Sequence, residues 1–168
     1  MTENASKTQI RLAWLAGLLV LALIIAGGAL HGVSPAVFRR LWQDILDRPG
    51  GPMTFRFILQ PTMAAIAALH DGVKDARTGR SVFFWTVLSG SEKRGGRLRE
   101  GLISTARIIL LGLVMDTIYQ VIVLKTFYPA EAAIIAVILA FVPYALLRGP
   151  FARVARWRLG ETPTGRAR

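Results

Sequence analysis

The chain has 168 residues, of which 53% are hydrophobic and 18% charged, with no cysteine, two histidines and a formal net charge of +11. A soluble domain is about 45–50% apolar and about 25% charged, and here the apolar excess sits in three uncharged runs, the pattern of a small all-α integral membrane protein. The missing cysteines exclude thiol catalysis, iron–sulfur clusters and Cys-based zinc sites, while 21 Lys and Arg against 10 Asp and Glu read as basic cytoplasmic loops, with no nucleic-acid partner.

The first run, Leu12 to Leu30, has 19 residues without a charge, enough at about 1.5 Å per residue to cross a hydrocarbon core of about 30 Å. A secretory signal peptide is the alternative, with Lys7 and Arg11 ahead of the apolar stretch and Gly27, Gly28 and Ala29 as the cleavage site. Against it, the run exceeds the usual ~7–15-residue apolar region. Residues 34–48 form an amphipathic helix: Ser34 caps it, Pro35 takes the first position, and Val37, Phe38, Leu41, Trp42, Ile45 and Leu46 recur at helical spacing. Pro49-Gly50-Gly51-Pro52 stops it. Its apolar face suits the headgroup boundary, or it packs on the chain's own spans.

Residues 57–77 read as a re-entrant or interfacial helix. Phe57 to Leu69 is too short for an ordinary span and contains Gln60 and Pro61, so a fourth crossing at 57–71 is marginal. The continuation from His70 to Arg77 is polar and is expected to emerge into water. Phe83, Phe84 and Trp85 suit an interfacial aromatic anchor, and 91–100 a basic cytoplasmic loop.

The second span, 106–125, holds Ile108 to Leu124 between Arg107 and Lys125, interrupted only by Asp116. The third, 131–148, holds Ala132 to Leu147 between Glu131 and Arg148. Their short connection forces an antiparallel hairpin. In the basic tail that follows, 150–168, and at the end of the third span, Arg148, Arg153, Arg156, Trp157 and Arg158 are the expected contacts with anionic lipid headgroups. Counting Lys and Arg loop by loop puts the C-terminus in the cytoplasm. Three spans leave seventeen inside, with Lys7, Arg11 and Lys125 outside; four spans leave fifteen inside and five outside, a slightly weaker asymmetry.

Several strings together resemble a group of small, uncharacterised bacterial integral membrane proteins, over roughly residues 50 to 155. They are Arg56-Phe57-Ile58-Leu59-Gln60-Pro61, Asp71-Gly72, Asp75-Ala76-Arg77, Gly79-Arg80, Phe84-Trp85, Ile118-Tyr119-Gln120, Tyr128-Pro129 with Glu131, and Leu147-Arg148-Gly149-Pro150. The resemblance implies a membrane-embedded bacterial protein, which for this topology means the cytoplasmic (inner) membrane. It implies no reaction, cofactor or catalytic residue.

Asp116 is the most informative residue. It is ninth of the seventeen residues between Arg107 and Lys125, near the bilayer midplane, where an ionised carboxylate costs at least a few kcal/mol. Helical spacing puts Thr105, Ile109, Gly112, Tyr119, Gln120 and Val123 on its face and Arg107 opposite, so Arg107 is not its partner. Ala133, Ala136, Ala140, Pro143 and Tyr144 make a facing small-residue stripe on the third span, and hairpin register sets Asp116 near Ala140. Asp116, Tyr119, Gln120 and Tyr144 are therefore the intramembrane polar candidates. Two roles are open: proton or solute handling, or a helix-locking hydrogen bond worth about 0.6 kcal/mol on average.

His70 and Asp71 are neighbours that point about 100° apart on a helix and make no acid–base pair. Zinc-protease, nucleophile-elbow, P-loop and dinucleotide patterns do not occur, nor does an internal repeat. No catalytic, cofactor or metal residue is expected. The reading is a non-enzymatic accessory or assembly subunit of a membrane complex, or an oligomer. A small transporter or channel component built on the Asp116 face is the alternative.

Overall fold

The computed structural model describes residues 5–32, 34–47, 54–80, 83, 87 and 94–159. They form α1 (Lys7–His31), α2 (Pro35–Asp47), α3 (Arg56–Arg77), α4 (Arg94–Tyr119) with a π-helical turn (Gln120–Leu124), and α5 (Pro129–Arg158). Three helices, Lys7–His31, Gly95–Leu124 and Pro129–Arg158, are long and apolar enough to cross a membrane. The proposed stop Pro49 to Pro52, the aromatics Phe84 and Trp85, and the tail beyond Leu159 lie outside the described residues.

Local chemistry sets the ends. Ser6 caps α1 reciprocally: its hydroxyl accepts from Gln9 N at 3.2 Å, and its own N–H donates to Gln9 Oε1 at 2.9 Å, a capping box. Ser34 caps α2 by accepting from Val37 N. Helix α3 stops in a Schellman motif, with Gly79 at φ 63° and Arg80 N donating to Asp75 C=O at 3.0 Å, a left-handed position that suits glycine. The α4–α5 turn uses Lys125 at φ 56°; Tyr128 N donates to Gln120 Oε1 at 2.6 Å, and Pro129 opens α5.

Helix α5 is the hub on which α1, α3 and α4 all pack. The interfaces are built from Ala13, Ala16, Ala64, Ala68, Ala106, Ala133, Ala136 and Ala140, all buried, because small residues let helix backbones approach where lipid offers no hydrophobic drive between helices. At Gly72 a Cβ would lie 2.9 Å from the Arg148 carbonyl and 3.0 Å from Phe151 Cβ, so only glycine lets α3 seat there. Large apolar side chains point outward, among them Trp14, Leu18, Ile25, Ile58, Ile66, Val114, Ile118, Val142 and Leu146.

Chain direction alternates. The C-terminal end of α1 meets the α4–α5 turn, with His31 Nε2 3.3 Å from the Phe127 carbonyl and its ring 4.8 Å from that of Tyr128. Helix α3 starts at that same turn end, where Arg56 meets Asp116. It finishes at the opposite end, where Asp75 meets Arg97 and Arg148. Residues 56–77 are thus one helix of about 33 Å at 1.5 Å per residue that runs from one end of the bundle to the other.

Several expected boundaries move. The segment from Arg94 to Glu100 is helical, not a solvated loop, because Arg97 and Glu100 are drawn into contacts with α3 and α5. In the stretch after His70 one face, Gly72, Asp75 and Ala76, is buried against other helices, while Arg77 is exposed. Phe83 is not an interfacial anchor but sits 1% exposed against the Tyr144 ring, at 5.6 Å. Helix α5 continues through Gly149 and Pro150 to Arg158, with Pro150 on its exposed side.

Candidate functional site

Two polar layers lie inside the bundle, one at each end. Near the α4–α5 turn, Arg56 donates to Asp116 Oδ1 at 2.5 Å and Gln120 Nε2 to Asp116 Oδ2 at 2.6 Å. All three side chains are buried. Gln60 lies over Gly112, where a Cβ would overlap its amide; it is fully buried, and among the described residues neither amide atom has a hydrogen-bond partner. At the rim of this layer Arg40 of α2 reaches the buried Glu131 at 3.4 Å and stacks 3.5 Å from the centre of the Tyr128 ring, a cation–π contact.

At the other end Asp75 is enclosed by guanidinium groups. Arg97 donates to it at 2.9 Å, and Arg148 donates through Nε at 2.7 Å and NH2 at 3.0 Å. Glu100 accepts from Arg148 at 3.0 Å and from Arg97 and Arg80 at 3.2 Å each. Asp71 Oδ2 accepts from both the Ser104 and Tyr144 hydroxyls at 2.6 Å, and Tyr144 accepts in turn from Arg148. Phe83 covers Arg148, whose guanidinium carbon is 4.7 Å from its ring centre. Asp71, Asp75 and Glu100 thus face Arg80, Arg97 and Arg148, three charges of each sign. Such balance is what makes charge tolerable away from water.

Between the two layers the interior is apolar: Met63, Ala64, Ala67 and Ala68 from α3, Ala106 and Ile109 from α4, and Ala136 and Ala140 from α5. Along α3 the gap from Gln60 to Asp71 is eleven residues, about 16 Å. Among the described residues no three His, Asp or Glu side chains gather as metal ligands, and His70 is exposed.

The candidates named from the sequence separate. Asp116 and Gln120 are joined, with Tyr119 buried beside them. Tyr144 belongs to the opposite layer, on Asp71 and Arg148. Arg148 is not a headgroup contact: it is 0% exposed, held by Asp75 and Glu100. Arg153, Trp157 and Arg158 are exposed, whereas Arg156 is half-buried and donates to the Arg80 carbonyl at 2.5 Å. Arg107 is exposed and apart from Asp116. Gly112, not Asp116, fixes the hairpin register, against Ala136, so Ala140 lies on the far side of that contact from Asp116. Val123 is exposed rather than on the Asp116 face, because the wider π turn from Gln120 breaks the 3.6-residue register.

Arg56 and Asp75 entered the sequence reading only within the strings of the resemblance and Arg97 only within a basic loop, yet a signal for their pairing existed. Helix α3 carries Arg56 and Asp75 nineteen residues apart, and α4 carries Arg97 and Asp116 nineteen residues apart. Laid antiparallel, each arginine meets the other helix's aspartate. Compared with protein-family models, curated proteins and solved structures, the chain matches none.

Proposed function

We propose that this chain is a four-pass membrane protein with a non-enzymatic role, an accessory or assembly component of a larger membrane complex. The observation that carries the reading is the pair of matched polar layers. Nineteen residues of helix span about 28 Å, close to the ~30 Å hydrocarbon thickness, so the Arg56–Asp116 and Asp75–Arg97 contacts fall at the two edges of a bilayer. Helix α3 then crosses alongside α1, α4 and α5. Both termini share one side with fifteen Lys and Arg, against five on the side of α2 and the α4–α5 turn, which favours cytoplasmic termini in a bacterial inner membrane. On the outer side α2 exposes Phe38, Trp42 and Leu46, four residues apart, as an interfacial helix does.

A role in assembly is supported by how the polar groups are used. The carboxylates of both layers are engaged by donors from neighbouring helices, and the alanine-rich layer separates them, which suits a packed scaffold better than a solute path. The transport reading keeps one observation in its favour, the buried Gln60 amide beside Gly112. Reporter fusions after Glu100, Tyr128 and Arg158 should read inside, outside and inside, and a fusion near Pro49 outside; Pro49 inside removes the fourth crossing. Purification in mild detergent should yield a stoichiometric complex, whereas a lone monomer both in detergent and in native nanodiscs opposes the assembly role.

A further inference from the structure

Helix α5 outruns the bundle. From Arg148, which closes the inner polar layer with Asp75 and Glu100, it continues to Arg158. Its inner side is fixed: Ala152 is buried beside the seat of Gly72, and Arg156 donates to the Arg80 carbonyl at 2.5 Å. Its outer side is bare. Pro150, Arg153, Val154, Trp157 and Arg158 are all exposed, at the spacing of a single helix face. Trp157 is 80% exposed and Val154 51%, while Arg153 and Arg158 make no ion pair or hydrogen bond among the described residues.

Lipid does not reach the end of this stripe. On the four-pass placement Arg148 lies at the cytoplasmic edge of the hydrocarbon, and the headgroup zone beyond it is about 5–7 Å thick. Trp157 is nine residues further along α5, about 13 Å, and so clear of the headgroups. An indole held in water between two guanidinium groups has the composition of a protein-binding hot spot, where tryptophan and arginine are favoured, and here the helix that carries it is ordered in advance. We infer that the end of α5 is where this chain docks a partner subunit, seated as a helix in an apolar groove that is rimmed with Asp and Glu on the cytoplasmic portion of that subunit. Charge selects the partner. The carboxylates at this end of the bundle, Asp71, Asp75 and Glu100, are already engaged by the chain's own donors, so a second copy offers Arg153 and Arg158 only like charge. The inference rests on the assembly reading above and names its contact.

The test uses the full-length chain in its native membrane, with photoreactive benzoylphenylalanine placed at position 157 and the complex purified in mild detergent. The crosslinked peptide should come from another chain and carry Asp or Glu beside apolar residues. A crosslink to lipid, to a second copy or to a peptide without carboxylates overturns the surface. Trp157→Ala and Arg153→Glu/Arg158→Glu should each weaken retention of that chain by at least about 30-fold, the factor for a truncated hot-spot residue, whereas Arg153→Lys/Arg158→Lys keeps the charge and the partner. Retention by Trp157→Ala equal to the parent's removes this surface and leaves the assembly reading standing; a parent that carries no partner removes both. Because the chain has no cysteine, a spin label on Trp157→Cys in vesicles of phosphatidylcholine and phosphatidylglycerol reports depth without a partner. Contact of the label with water upholds the projection, and contact with headgroups or acyl chains overturns it.

Discussion

Replacing Asp116 by leucine removes the carboxylate that Arg56 meets at 2.5 Å and leaves the guanidinium at a position 1% exposed. An interhelical hydrogen bond alone is worth about 0.6 kcal/mol in membranes. Removing one partner of a buried ion pair costs about 3–5 kcal/mol. Asp116→Leu and Arg56→Leu should each lose about 3 kcal/mol. The double variant Arg56→Leu/Asp116→Leu removes both charges together, so its loss should fall well below the sum of the single losses, with a coupling above about 2 kcal/mol. Unfolding of the dodecyl-maltoside-solubilised protein by added dodecyl sulfate, followed by far-UV circular dichroism, measures all four proteins. Losses that add to within about 0.5 kcal/mol, the behaviour of distant sites, would show that α3 and α4 do not meet through this pair.

Three further expectations use the same assay. Gly72→Leu should cost about 1–3 kcal/mol by overpacking against Arg148 and Phe151, while Gly95→Ala, where nothing lies within 4 Å of a Cβ, should stay within about 0.5 kcal/mol; equal effects would refute the α3–α5 contact. Arg148→Gln should cost about 3–5 kcal/mol as a broken buried pair and Arg153→Gln less than about 0.5 kcal/mol, whereas the reverse order would return Arg148 to the lipid surface. Gln60→Met keeps the volume and removes a buried amide without partners, so stability should rise by about 1 kcal/mol or more; a loss would mean that the amide serves a polar guest.

The apolar spans were legible because uninterrupted hydrocarbon is a one-dimensional signal: Leu12 to Leu30, Ile108 to Leu124 and Ala132 to Leu147 all fall within long helices. The face of α4 was legible as well, since 3.6-residue periodicity groups Thr105, Ile109, Gly112, Asp116 and Gln120, all buried. It failed at Val123, where the π turn changes the period. Arg148, Asp75, Arg97 and Glu100 were misplaced for a different reason. Charge next to an apolar run reads as solvated unless its partner is known, and the partners of Arg148 are 73 and 48 residues away. The candidate site was accordingly half visible: Asp116 and Gln120 stood out as polar residues in an apolar run, while Arg56, the other half of the pair, lay at the edge of a segment too polar to be read as a span.

The polarity of α3 follows from which neighbours its residues meet. Arg56, Gln60 and Asp75 are buried against other helices, while Ile58, Ile66 and Leu69 face outward, so its outward surface is more apolar than its composition. An alanine-lined interface such as Ala64 and Ala68 against α5 is smooth and would tolerate sliding, and the charges at its ends remove that freedom. Both α3 and α4 place arginine first and aspartate nineteen residues later. A parallel pairing would set Arg56 against Arg97 and Asp75 against Asp116, like charge against like in a medium of low dielectric. The antiparallel pairing sets each against its opposite, and a slip of one turn breaks both contacts together. The polar layers therefore select orientation and register, a use of buried charge that the small-residue packing by itself could not supply.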